Sequence, residues 1–152
     1  MYFSNDILIR IMIVVLGLCG FLVARHIYTH KKNQIPLVCP IGFDCGFVVQ
    51  SDYSKFLGVP IEIFGMIYYA FLSLFYLFSI FTLGNIPVIL SGLLLLASLG
   101  AFLFSLYLLA VQIFVLKKGC SWCIVSAMIS SLVFIFTAVN YDFSIIIQIL
   151  SK

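Results

Sequence analysis

The chain has 152 residues, of which 64% are hydrophobic and 16% aromatic, while only 9% are charged. A soluble domain is about half apolar and about a quarter charged, so eight basic and five acidic residues cannot clothe a soluble surface. Disordered chains and nucleic-acid binders, which need a basic face, are excluded too; what remains is an integral membrane protein with room for a single domain, residues 1–152.

A helix that crosses a bilayer needs about 20 apolar residues, because each adds about 1.5 Å to a core about 30 Å thick. Four stretches meet this. The first runs over residues 7–27, with an uncharged centre from Ile11 to Ala24, and Arg10 is expected to snorkel to the near interface. Cys19, alone in this stretch, reads as a packing residue. The residues ahead of it carry an acid and little basic charge, and no small-x-small pattern follows. Leu16-Gly17-Leu18-Cys19 matches a lipoprotein cleavage box only loosely, so an uncleaved first helix is expected.

A loop of more than 30 residues follows, a length usual for a functional segment. The second span covers residues 61–83, and Gly84-Asn85-Ile86-Pro87 reads as a tight turn. The third span covers residues 87–116, with Pro87 suited to a first helical position. Lys117-Lys118-Gly119 separates it from a fourth span that starts near Cys120 and reaches at least Asn140. The apolar tail Phe143–Leu150 extends this helix or lies along the interface. The expected fold is an all-α, four-transmembrane-helix bundle with a long cysteine-bearing loop between helices one and two.

Charge placement supports this division. No charged residue lies between Glu62 and Lys117, or between Lys118 and Asp142, and seven of the thirteen charges fall between Arg25 and Glu62. An even number of spans puts both termini on one side and the long loop and the dilysine turn on the other. Cys39, Cys45, Cys120 and Cys123 therefore share one membrane face. That face carries Arg25, Lys31, Lys32, Lys55, Lys117 and Lys118, against Arg10 and Lys152 opposite, so the positive-inside rule predicts a cytoplasmic cysteine face.

Cys39-Pro-Ile-Gly-Phe-Asp-Cys45 is a C-x5-C pair, and Cys120-Ser-Trp-Cys123 a C-x-x-C at the mouth of the fourth helix. A helix start offers unpaired amides and a positive dipole end, both of which favour a thiolate. Pro40 and Gly42 keep the loop pair out of helix. A mobile loop pair could meet a soluble partner, swing to the second pair, and move two electrons towards the membrane by thiol–disulfide exchange. The common electron acceptor dissolved in a bilayer is a quinone, and Phe64, Tyr68, Tyr69 and Phe71 suit packing against a flat ring. The same cysteines could instead hold zinc or a static disulfide in a non-enzymatic membrane scaffold.

The motifs taken together resemble the vitamin K epoxide reductase family of four-helix membrane thiol oxidoreductases. The matching residues are Cys39 and Cys45, then Ser51-x-x-Ser54-Lys55-Phe56-Leu57-Gly58-Val59-Pro60, then Phe64-Gly65-x-x-Tyr68, then Cys120-x-x-Cys123. In the related DsbB family the two kinds of pair come in the opposite order. The resemblance implies four catalytic cysteines and no metal. Cys39 would exchange with a thioredoxin-like partner, Cys45 would link to Cys120, and Cys123 would pass electrons to a quinone. Ser51, with Ser54 as second candidate, resembles the family's loop serine near the redox centre.

Two positions depart from vertebrate members: Ile61-Glu62 stands where they place an asparagine, and Ala127 where they place a tyrosine. Both point away from vitamin K epoxide and towards an ordinary quinone of ubiquinone or menaquinone type, as in bacterial members. Since the sequence stops after the fourth helix, the partner is expected to act in trans, as a periplasmic or lumenal protein. The family arrangement puts the cysteine face outside a bacterial inner membrane, against the charge count, so a cytoplasm-facing orientation stays open. Membrane lipid is the other expected partner, and nucleic acid is not one. Glu62 could deliver a proton to the reduced quinone or sit at the interface in water, and Trp122 could pack over the quinone or anchor the interface. His26 and His30, beside Arg25, Lys31 and Lys32, read as a solvated interfacial cluster, and Asp44 as a solvated loop acid.

Overall fold

The computed structural model describes residues 2–82 and 87–150. Its long helices are α1 (Tyr2–Lys32), α3 (Ile61–Thr82), α4 (Val88–Ala110) and α5 (Ser121–Leu150), with a short α2 (Cys45–Gln50) in the loop. Each long helix is apolar enough to cross a membrane, α4 together with the residues that follow it to Leu116. The chain is a multi-pass membrane protein.

The helix ends refine the expected spans. α1 is longer at both ends than residues 7–27, and the tail after Asn140 continues α5 rather than leaving it. The expected third span divides: α4 gives way to a π-helical turn over Val111–Leu116, which stops at Lys117 in a left-handed conformation (φ 51°). The turn expected at Gly84-Asn85-Ile86 lies outside the described residues.

Lipid tails are as apolar as leucine, so helices in a bilayer associate through close packing and polar contacts. The α1–α3 seam depends on two glycines. A Cβ on Gly17 would lie 2.2 Å from the Ser73 hydroxyl, and one on Gly20 would lie 2.7 Å from the Tyr69 ring. Only glycine lets Ser73 and Tyr69 rest on the α1 backbone. The core beside the seam holds the fully buried Ile13, Leu72, Tyr76 and Val133. α4 packs on α5, and its contact with α3 is slight. The outward faces are bare apolar surface, with Leu22, Phe78, Leu96 and Ile135 all more than half exposed.

Arg10 departs from the expectation that it snorkels. Its guanidinium turns into the bundle, pairs with Asp6 at 2.8 Å and donates to the Ser79 hydroxyl, while Asn140 donates to Asp6 at 2.9 Å. A buried charge is tolerated when paired and hydrogen-bonded.

At the other end the loop caps the bundle. A 3-10 turn at Pro40–Gly42 leads into α2, a second at Asp52–Ser54 follows, and a small hairpin joins β1 (Lys55–Phe56) to β2 (Val59–Pro60). Cys45, Val48 and Val49 of α2 are buried with Ile27, Leu37 and Cys120. The loop is thus folded down onto the helix ends by its own small apolar core.

Candidate functional site

Three local devices bring the chain to the C-x-x-C. The π-helical turn and the left-handed Lys117 end the third span and turn the backbone back. Gly119 then passes under the loop, where a Cβ would lie 2.6 Å from the Phe43 ring. Cys120 sits just before α5, in the capping position. Its carbonyl accepts from Ile124 N–H at 3.0 Å and its sulfur from Cys123 N–H at 3.4 Å. The sulfur therefore does what a capping side-chain oxygen usually does.

Cys120 is fully buried, and its sulfur lies 2.8 Å from that of Cys123. The Cys123 thiol donates to it and holds the Cys120 thiol below the ordinary range; backbone N–H groups of Cys123 and Trp122 act the same way, while burial and the Glu62 charge oppose. Cys120 is the attacking group that this geometry favours.

The loop pair is joined as a disulfide, Cys39–Cys45, with Cα atoms 6.0 Å apart. The sulfurs of Cys39, Cys45 and Cys120 all lie within 4.8 Å of one another. The swing expected of the loop is unnecessary in this arrangement, because the two pairs already adjoin. With the outer pair oxidised and the inner pair reduced, two electrons' worth of reducing power sits on the membrane side. Those three sulfurs could gather a metal only as thiolates, and two of them are tied up in the disulfide.

Beneath the cysteines lies a cavity of about 540 Å³ between α1, α3, α4, α5 and the loop. Phe64, Tyr68, Phe104 and Leu108 form apolar walls, and Cys123 stands at its edge. Tyr69 donates to the Ser126 carbonyl at 3.3 Å, but the neighbouring Tyr68 hydroxyl is buried with no hydrogen-bond partner. Ser51, Ser54 and Glu62 line the rim below the loop.

A model of the vitamin K epoxide reductase family matches residues 11–138, a stretch that contains both cysteine pairs and most of all four spans. The chain belongs to the vitamin K epoxide reductase family. It is accordingly a membrane thiol–disulfide oxidoreductase, and the non-enzymatic scaffold gives way to that assignment. No curated protein matches the sequence. Both departures from the vertebrate members, Ile61-Glu62 and Ala127, fall on the cavity wall, so this member has changed the lining where its small-molecule substrate would lie.

Most of the residues expected to bind a cofactor are gathered at this cavity; two aromatic expectations fail. Trp122 faces away. Its ring packs 4.6 Å from His26, and its indole N–H donates to the Val38 carbonyl at 3.3 Å. On a helix, successive residues turn by about 100°, so with Cys123 facing the cavity its neighbour faces elsewhere. Phe71 is 61% exposed on the lipid side. The two serine hydroxyls are occupied locally: Ser51 donates to the Val48 carbonyl at 2.7 Å and Ser54 to the Ser51 carbonyl at 2.7 Å.

Glu62 is neither alone nor in open water. It pairs with Lys31 at 3.3 Å, with side chains 10% and 11% exposed, and the same ammonium donates to the Ser54 hydroxyl at 2.8 Å. The pair ties the end of α1 to the hairpin and the start of α3. Lys31 thus leaves the solvated cluster, and His26 stacks on His30 at 4.5 Å. Asp44 is exposed as expected but pairs with Lys118, whose ammonium lies 5.0 Å above the Phe47 ring.

Sequence reasoning passed over Gln112 and Phe104. Gln112 is buried in the π-helical turn on the cavity wall, beside Cys123. Its signal was available: a carboxamide in a span of apolar residues is costly unless it has work to do. Phe104 is one of many aromatics in an apolar span and carried no such signal.

Proposed function

We propose that the cavity binds a quinone of ubiquinone or menaquinone type, and that the four paired cysteines feed it electrons from a reduced thioredoxin-like protein. The observation that carries this is an apolar cavity of about 540 Å³ with a free thiol at its edge and a buried, unpartnered hydroxyl on Tyr68. Pockets of this size and character suit a small flat molecule. A bound quinone would accept two electrons and two protons.

The chain's own residues divide the remaining work. Cys39 is half-buried on the loop, next to the exposed Val38, and receives the partner's thiolate. Reduction frees Cys45, which attacks the Cys120 sulfur when the inner pair is a disulfide, and so passes the electron pair inward. Cys123 then faces the cavity as the electron-donating thiol. Tyr68 and Gln112 are placed to orient a carbonyl oxygen, while Phe64 and Phe104 sandwich a ring and keep water out. Glu62 lies near both inner cysteines, and Lys31 balances its charge there. Residues 1–152 work as one domain, because both cysteine pairs and every wall of the cavity belong to the same bundle.

The test is reconstitution in lipid nanodiscs with a short-chain quinone and a reduced thioredoxin-like protein, followed by quinone absorbance. Steady reduction is expected, and Cys120→Ala or Cys123→Ser should each abolish it. Full activity in either variant would refute the assignment.

A further inference from the structure

Six buried side-chain atoms in the membrane-spanning helices have no hydrogen-bond partner within the protein: Arg10 Nε, Tyr68 OH, Ser73 Oγ, Tyr76 OH, Ser130 Oγ and Thr137 Oγ1. Their positions are not scattered. On α3, Tyr69, Ser73, Tyr76 and Ser79 recur at spacings of 4, 3 and 3, and on α5, Ser126, Ser130, Thr137 and Asn140 recur at 4, 7 and 3, so each set follows one helix face. The two faces meet: Tyr69 lies against Ser126 and Ser130, and Tyr76 against Thr137. Tyr76 in turn lies near Asp6 and Arg10, while Tyr68 lies near Tyr76 and lines the cavity. From Ser126 to Asn140 this polar column spans about 21 Å of α5.

Polar groups between helices in lipid are commonly glue, hydrogen-bonded across the seam. These hydroxyls are not bonded across it, although Ser73 is 4% exposed, Ser130 and Thr137 each 1%, and Tyr76 0%. A buried unpaired hydroxyl is costly, and what usually satisfies it in a polar site is an ordered water. A file of hydroxyls bridged by water conducts protons without any member of the file having to ionise. The file starts at the Asp6–Arg10–Asn140 network on the side of the termini and ends at Tyr68 and Tyr69 in the cavity.

We infer that this column delivers protons to the cavity from the membrane face opposite the cysteines, making the redox reaction charge-separating. The inference rests on the quinone reading of the cavity. The balance is as follows. The partner's two thiols are oxidised to a disulfide and release two protons at the cysteine face. Two electrons travel through the cysteine pairs to the quinone. Two O–H bonds form in the cavity with protons drawn from the terminus face. Two positive charges thus cross most of the membrane for each quinone reduced. Asp6 is the collecting acid, and Ser79, Tyr76, Thr137, Ser73 and Ser130 are the relay.

Proteoliposomes carrying the full chain, a quinone in the bilayer and a trapped pH dye test this. A reduced thioredoxin-like protein added outside engages only molecules whose cysteines face outward. With potassium and valinomycin present, the lumen should turn alkaline by two protons per quinone reduced; without them, a potential negative inside should form. In Tyr76→Phe/Thr137→Val, both the alkalinisation and the quinone reduction should fall at least about tenfold, while the partner still reduces the Cys39–Cys45 disulfide at its normal rate. Removing two unpartnered hydroxyls does not threaten folding, and retained thiol exchange certifies it. Quinone reduction with an unmoved lumenal pH would overturn the inference and point to proton uptake past Glu62 on the cysteine face. An unaffected double variant would overturn it as well. Absence of any quinone reduction in the unaltered protein would refute the quinone reading, and the inference with it.

Discussion

α3 is clamped on one side and open on the other. Against α1 it sits so close that Gly17 and Gly20 leave no room for a methyl group. Towards α4 it stands off, and the gap between Phe64, Tyr68, Phe104 and Leu108 is the cavity. A Cβ on Gly100, on the α4 wall of that gap, would meet nothing within 4 Å. In a bilayer no water-driven collapse closes such a gap, so packing is tight only where small residues permit it. The seam fixes the position of Tyr69 and its neighbour Tyr68, and the gap leaves space for a ligand beside them.

That contrast can be broken from either side. The largest effect is expected from filling the gap. Gly100→Leu should lower quinone reduction by about 100-fold or more through lost positioning, while thiol exchange with the partner, read by gel-shift alkylation, continues unchanged. An active Gly100→Leu protein would mean that the cavity is not the acceptor site.

Next comes the ion pair that closes the rim. Lys31→Met alone should destabilise the protein by about 3–5 kcal/mol, because it strands Glu62 where its partner was nearly buried. The double variant Lys31→Met/Glu62→Gln should recover most of that loss in a thermal or denaturant melt. Smaller still is the glycine comparison. Gly20→Ala should cost about 1–3 kcal/mol by overpacking Tyr69, whereas Gly100→Ala should be near neutral; equal costs would erase the distinction between seam and gap.

The subtlest prediction concerns pH. The Cys120 thiol is held low chiefly by the thiol of Cys123. Its thiolate therefore survives as pH falls below the ordinary thiol range, and attack on the outer disulfide is lost only below that lowered value. Replacing Cys123 traps the mixed disulfide, so its formation can be timed against pH. Cys123→Ser keeps a donating hydroxyl and should hold the profile low, while Cys123→Ala should move it to higher pH.

Much of the fold could be read from charge alone, because charge is so expensive in lipid that its absence marks the spans. The gap between Glu62 and Lys117 contains two helices, and the cysteine pairs fall where charge returns. What stayed hidden depended on rotation and close approach. Trp122 was a reasonable aromatic for the cavity until the helix phase set by Cys123 turned it towards His26. Lys31 and Glu62 are 31 residues apart, and only the folded loop brings them together. Arg10 was expected at the interface because its i,i+4 acid was not weighed as a partner. Gly119 looked like a plain turn residue, and its contact with the Phe43 ring appears only once the loop is placed.

The central claim is that electrons leave the protein from the Cys120–Cys123 pair into the cavity. The most direct test is a single turnover in a Cys39→Ser/Cys45→Ser protein, where the inner pair stands alone. The protein is reduced, freed of reductant and mixed anaerobically with one equivalent of quinone. The account predicts one quinol formed per Cys120–Cys123 disulfide, found by mass spectrometry of alkylated peptides. A fully reduced inner pair that leaves the quinone oxidised would contradict it.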